Sequence, residues 1–262
     1  MTVSKAVAEA GVIAFAFPDH LHGRVFTRDI APNLKKNATL LLLHGTSVHF
    51  GFVVPPDDCD VILIAPHAPG VAVREAYPRD QQISAFYSVY QNRTGKAAQT
   101  AFALAKAVGF KRRNLIKTTF EHEAVGDLFG EQAVLCGGLA MLIKTGFEVL
   151  VERGLKPENA YLEVAYQLDL IIDLIKRYGI EGMFSRISVA ARYGSLKAGP
   201  EIINAGTKKR MERLANQIES GKFPNELNSL DDDQITQLNK ALKGLTDPRL
   251  EKAARKFARS KK

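Results

Sequence analysis

The chain contains no tryptophan and only two cysteines, Cys59 and Cys136. These form neither a disulfide framework nor a zinc-ligand spacing, so a reducing, cytoplasmic setting is expected. No uninterrupted apolar run approaches the roughly 20 residues of a membrane helix, and no membrane partner is expected. The apolar stretch at 12–17 has Glu9 close before it and no small-residue cleavage pattern, so it does not read as a signal peptide. The Gly-rich signature G-x-G-x-x-G is also missing. A dinucleotide-binding domain places that turn between its first strand and helix, where the backbone meets the pyrophosphate. Gly137-Gly138 follows no strand and does not replace it.

What is present reads as a soluble globular protein: 46% of residues are hydrophobic and 24% charged, without the polar bias of disorder. The 262 residues suffice for one large domain or two ordinary ones. The net charge of +8 is concentrated at the C-terminal end. Lys240, Lys243, Arg249, Lys252, Arg255, Lys256, Arg259, Lys261 and Lys262 are opposed only by Asp247 and Glu251. Such a run is either a solvated helical tail or a surface for an acidic partner; nucleic acid is not expected.

The first part of the chain alternates. Strand-like runs at 11–17, 39–43, 61–65 and 83–90 are separated by helical candidates at 21–30, 71–77 and 97–108. That alternation predicts an α/β unit with a parallel sheet. After about Thr119 the strand signals stop. A long apolar helix is expected at 133–153, interrupted at Gly137-Gly138, and a second from Pro157 to about Tyr178. A charged amphipathic helix is expected at 207–220. A polar linker then runs from Pro224 through Asp231-Asp232-Asp233 to the basic tail.

Asp127 and Glu131 stand one helical turn apart and can face one side. A hard cation such as Mg²⁺ takes such oxygens. An N-terminal capping pair uses the same residues, and spacing alone favours the cap. Glu163 and Gln167 repeat the spacing with one amide. His44 and His67 each follow an apolar strand, where α/β sheets bind ligands. They are either a shared cleft of acid, base or donor groups, or two loop histidines.

Several stretches carry a specific resemblance: Leu43-His44-Gly45, Val48-His49-Phe50-Gly51, Val53-Val54-Pro55-Pro56, Asp60-Val61-Ile62-Leu63-Ile64-Ala65-Pro66, and Asp127-Leu128-Phe129-Gly130-Glu131-Gln132 before an apolar helix. Gly182-Met183, Ile187-Ser188, Tyr193-Gly194 and Gly199-Pro200 continue it. In these the chain resembles the ketol-acid reductoisomerases, the acetohydroxy acid isomeroreductases of branched-chain amino acid synthesis.

The resemblance implies a Rossmann-like sheet followed by a knotted helical domain that pairs with its twin, so a homodimer. It implies an acetohydroxy acid substrate such as 2-acetolactate, whose alkyl group migrates with the help of one or two Mg²⁺ ions before NADPH reduces the product. It places Asp127, Glu131, Glu163 and Gln167 on metal positions, Ser188 on a substrate position, and His44 and His67 on catalytic positions. Asp19, His20, Leu21, His22 and Gly70 fall on cofactor-contact positions.

Three departures accompany it. Gln167 stands where the family has a fourth metal carboxylate, which removes a negative charge from the second ion. His67 stands for the catalytic lysine, so a shorter group without a fixed charge replaces a cation. About 60 residues of the family's first βαβ half, with its Gly-rich loop, have no counterpart, which leaves the strand at 12–17 as an apolar edge. The expected domains are therefore a partial NADP-binding unit at 1–118, a helical unit at 119–225, and a linker with basic tail at 226–262. The expected function is an impaired or inactive reductoisomerase; the alternatives are a non-catalytic dimer that binds metal or ligand, or a binding protein acting through its tail.

Overall fold

The structure is a computed structural model and describes residues 1–79 and 83–258; Arg259, Lys261 and Lys262 of the basic run lie outside the described residues. The chain divides into two compact units, Met1–Phe129 with Asn216–Leu230, and Gly130–Ala215 with Asp231–Lys262.

The first unit is a five-stranded sheet in the order β1-β2-β3-β4-β5. The strands are β1 (Val12–Phe15), β2 (Thr39–Leu42), β3 (Asp60–Pro66), β4 (Ala85–Gln91) and β5 (Leu115–Lys117). Helices α1 (Val3–Glu9), α2 (His22–Val25), α3 (Thr46–His49), α4 (Gly70–Ala76) and α5 (Ala97–Ala107) connect or flank them. β3 is buried along nearly its whole length, as a central strand covered on both faces must be. Phe15, Leu40, Leu42, Val61 and Leu63 pack with Phe26, Ile30 and Val53 on one side. Ile62 packs with Ala97 and Ala101 of α5 on the other.

The expected parallel sheet is corrected at two strands. β1, β2 and β3 pair in parallel, but β4 runs antiparallel to β3 and β5 runs parallel to β4, so both oppose the first three. Period and composition reveal a strand, not its direction, so alternation alone could not distinguish the two. β5 went unread because three residues leave no usable pattern. The three parallel strands send their C-terminal loops to one edge, which places residues 16–22, 43–47 and 67–70 together there.

The expected helix starts also change. α6 spans Phe120–Gly130, and the Thr119 hydroxyl accepts from the His122 amide, 3.0 Å away, as its N-cap. Asp127 is thus two turns inside a helix, and the capping explanation for it fails.

The second unit is helical. α7 (Gly137–Glu152), α8 (Pro157–Tyr161), α9 (Leu168–Phe184), α10 (Val189–Ile202) and α11 (Ala205–Glu219) follow in order. The helix expected to end near Tyr178 resumes beyond a kink at Gly179, where φ is +71°. Wider turns occupy Glu131–Leu135 and Leu162–Tyr166. In the first, the Cys136 amide donates to the Glu131 carbonyl at 2.9 Å, one residue farther than in an α-helix. This aims the Gln132 and Ala133 carbonyls at Gly137 and Gly138; a Cβ there would lie 2.3 and 2.1 Å from them. The glycine pair is therefore a requirement of the wide turn.

The expected linker and tail are three helices: α12 (Lys222–Asn228), α13 (Asp232–Leu245) and α14 (Pro248–Phe257). Asp231 and Gln234 close a reciprocal capping box at α13, and Asp247 caps α14. α12 belongs to the first unit and lies beside the turn Asp19–Leu21. In the second unit, α14 sets Phe257 against Tyr161 and Tyr166 and pairs Lys256 with Glu158 at 3.3 Å. By length and composition the helical run Phe120–Glu152 is long and apolar enough to cross a membrane, but Asp127, Glu131 and the wide turn at Glu131–Leu135 interrupt it, so no uninterrupted apolar run of that length is present in it.

Candidate active site

His44 stands just past the C-terminal end of β2 and is the hub of the first unit's polar cluster. Its Nδ1 lies 2.9 and 3.1 Å from the two carboxylate oxygens of Glu123 on α6. The Gly45 amide donates to the same carboxylate. On the other edge of the ring, Nε2 is 2.8 Å from the Thr46 hydroxyl and 3.6 Å from Asp127. Gly45 makes this approach possible: a Cβ would sit 2.5 Å from the Phe120 carbonyl and 2.8 Å from Glu123. Any larger residue would push the turn after β2 away from α6.

Burial of the His44 ring disfavours its charged form. The hydrogen bonds and charge of Glu123, reinforced by Asp127 and Asp19, overcome that and raise it to about 9. His44 is thus an imidazolium at neutral pH, with Nδ1–H tied to Glu123. Its Nε2–H edge faces Thr46 and the 55%-exposed Asp127 side chain. A fixed cationic donor of this kind can protonate, or hydrogen-bond to, an oxygen that gains negative charge.

Glu123 was missed from sequence. It is only 4% exposed, and its signal was present: Glu123 and Asp127 repeat the four-residue interval of Asp127 and Glu131. His44 and Glu123 are 79 residues apart, a contact no local pattern reveals.

The other expected residues fall as follows. Asp19, His20 and Leu21 share one turn after β1. His22, also expected at the cofactor, is 1% exposed. Its ring is bonded to the Ser47 hydroxyl (2.7 Å) and the Phe17 carbonyl (2.9 Å), and burial holds it below its ordinary value against the pull of Asp19. Gly70 opens α4; a Cβ there would meet open space, so internal packing does not require glycine. His67 is exposed, 2.9 Å from the Ser84 hydroxyl and edge-on to Phe86. Ser188 caps α10, its oxygen accepting from the Ala191 amide at 3.1 Å.

Asp127 lies in the first unit; Glu131, Glu163 and Gln167 lie in the second. Glu131 opens one wide turn and Glu163 lies in the other. Inserted turns of this kind recur at functional sites, where they re-aim side chains. Gln167 directs its amide weakly at the Leu162 and Glu163 carbonyls, at 3.4 and 3.3 Å. The oxygen donors suit Mg²⁺ in chemistry. Among the described residues no three His, Cys, Asp or Glu side chains gather to hold an ion.

Comparison with known proteins decides the family. The model described as "Ketol-acid reductoisomerase, C-terminal domain" matches residues 120–260, and "Acetohydroxy acid isomeroreductase, NADPH-binding domain" matches 1–114. The chain belongs to the ketol-acid reductoisomerase family. It is 46% identical over 220 residues to the ketol-acid reductoisomerase (NADP(+)) of Xanthomonas axonopodis pv. citri, covering 84% of this chain and 66% of that protein. It is 46% identical over 224 residues to that of Pyrobaculum aerophilum. The chain thus spans about two thirds of the length of the curated reductoisomerases it matches. An NADH-preferring ketol-acid reductoisomerase from an uncultured archaeon superposes with a TM-score of 0.92 at 36% identity, over 99% of this chain and 80% of that one. A semialdehyde dehydrogenase NAD-binding protein from Cupriavidus necator, with a TM-score of 0.61 at 19% identity, shares the fold alone. The fold is accordingly that of the reductoisomerase family: a Rossmann-like unit followed by a helical one.

Proposed function

We propose that the protein is a ketol-acid reductoisomerase of reduced activity, acting on acetohydroxy acids of the 2-acetolactate type with NADPH and a divalent cation. The observation that carries this reading is the His44–Glu123–Asp127 cluster, within a chain that retains the family's Asp-Leu-Phe-Gly-Glu-Gln motif. His44 supplies a donor beside Asp127, where the substrate's oxygens would lie. Glu123 keeps the ring charged and oriented, and Thr46 limits its rotation. The turn Asp19–Leu21 and Gly70, beside which a Cβ would meet open space, would border the cofactor at the strand ends. Asp127, Glu131, Glu163 and Gln167 would hold the cation, which when bound polarises the substrate's carbonyl and hydroxyl. Gln167 brings no charge and His67 no permanent cation, which is why the rate is reduced.

A homodimer completes this reading. Leu170, Ile180, Val189, Tyr193 and Leu196 of the second unit are each at least 60% exposed, and apolar surface on this scale needs a cover. A second copy would cover it. Sedimentation of a monomer at micromolar concentration would contradict the dimer. The two free cysteines suit a cytoplasmic setting.

The test is NADPH consumption with 2-acetolactate and Mg²⁺. Slow, cation-dependent turnover lost in His44→Ala is expected. The competing reading, a non-catalytic dimer in which Gln167 and His67 mark lost chemistry, predicts no turnover but measurable cation binding.

A further inference from the structure

Near the half-buried His44 lies a buried histidine to which the proposed chemistry gives no task. His22 is 1% exposed. Its Nε2 is 2.9 Å from the Phe17 carbonyl, which can only accept, so Nε2 carries the proton. Nδ1 then accepts from the Ser47 hydroxyl at 2.7 Å. Phe15 and Phe17 meet the ring edge-on, at centroid distances of 5.2 and 4.7 Å, and fix its plane.

Ser47 lies in the first turn of α3, next to Thr46. The Thr46 hydroxyl touches His44 Nε2 at 2.8 Å, and the Gly45 amide donates to Glu123. The chain from Gly45 to Ser47 is therefore gripped at both ends, by Glu123 and by His22. Without the His22 grip, the Ser47 side chain loses its tie to the turn after β1, and the segment keeps the Gly45–Glu123 contact and the backbone bond from the Val53 amide to the Ser47 carbonyl at 2.8 Å.

We propose that His22 is a positioning residue for His44. Through Ser47 it ties the turn after β1 to the first turn of α3, and so fixes the Thr46 hydroxyl that orients the Nε2 edge of His44. The consequence for turnover rests on the function proposed above; the positioning itself does not. The role needs a donor at one end of a flat side chain and an acceptor toward the other. Leucine provides neither, whereas glutamine provides both.

The test compares His22→Leu, His22→Gln and Ser47→Ala in the full chain by three readouts: amide hydrogen exchange, ring-nitrogen NMR of His44, and kcat and KM for NADPH-linked turnover. In His22→Leu and Ser47→Ala, the amides of His49 and Val53, which donate to the Gly45 and Ser47 carbonyls, should exchange about tenfold faster, as expected for one lost buried hydrogen bond. The His44 ring signals should shift, and kcat should fall more than KM changes. His22→Gln should restore all three. If His22→Leu does not fold, Ser47→Ala, which removes one oxygen, carries the comparison. Lower stability with unchanged His44 signals in Ser47→Ala would show a purely structural role and overturn the proposal. Shifted His44 signals in a protein without turnover would support the positioning while removing the catalytic reading.

Discussion

Replacing Glu123 with glutamine perturbs the cluster at its most buried charge. In the folded chain Glu123 is 4% exposed and holds His44 at about 9, against an ordinary 6.5. A histidine raised in this way stabilises the fold fully below 6.5. That contribution is lost as pH rises through about 9, because the unfolded chain has by then released the proton the folded chain still holds. The shift corresponds to about 3 kcal/mol, an upper figure because the partners relax when the ring is neutral. In Glu123→Gln the amide can still accept from Nδ1–H but brings no charge. Burial then acts against imidazolium with only Asp127 and Asp19 in opposition, so His44 should titrate well below 9. The assay is urea denaturation at a series of pH values, with His44 followed by NMR. The wild type should lose about 3 kcal/mol between pH 6.5 and 9. Glu123→Gln should be less stable at pH 6 and nearly flat across that window. A wild-type profile as flat as the variant's, with His44 titrating near 6.5, would refute the electrostatic argument.

Other perturbations test separate parts of the structure. Gly45→Ala places a methyl group 2.5 Å from a backbone carbonyl that cannot swing aside, and should cost about 1–3 kcal/mol in thermal denaturation. Asp247 is held down to about 2 by its hydrogen bonds to Arg249, so its contribution is present above 3.8 and is lost as pH falls through 2. Asp247→Asn should lack that acid-side loss, read by circular dichroism. Gln167→Glu restores a charge at the proposed cation site and should tighten Mn²⁺ binding by about tenfold in calorimetry; unchanged affinity would count against that site.

The parts of the fold legible in the sequence were those built from contiguous pattern. β1, β2 and β3 appear as apolar runs ending in polar turns, and the pair Gly137-Gly138 marked the break that the wide turn requires. The direction of β4 was not legible, because it depends on how the chain crosses the sheet rather than on its own residues. Asp127 looked like a cap because the true cap, Thr119, precedes a first turn of mixed polarity that hides the start of α6. Asp231 with Gln234, and Asp247 before Pro248, were helix-start signals, but the surrounding charge made the segment look like linker and tail. At the candidate site, the place of His44 after a strand was legible. Glu123 and the His22–Ser47 contact were not, because they join segments that only the folded sheet brings together.

The central claim is that this chain performs the family's reaction, slowly, at His44. Its most direct test is NADPH oxidation by the purified protein with 2-acetolactate and Mg²⁺, run beside a full-length relative. The account predicts slow oxidation that requires both substrate and cation and disappears in His44→Ala. No oxidation above background while the relative turns over normally, or a rate untouched by His44→Ala, would contradict it.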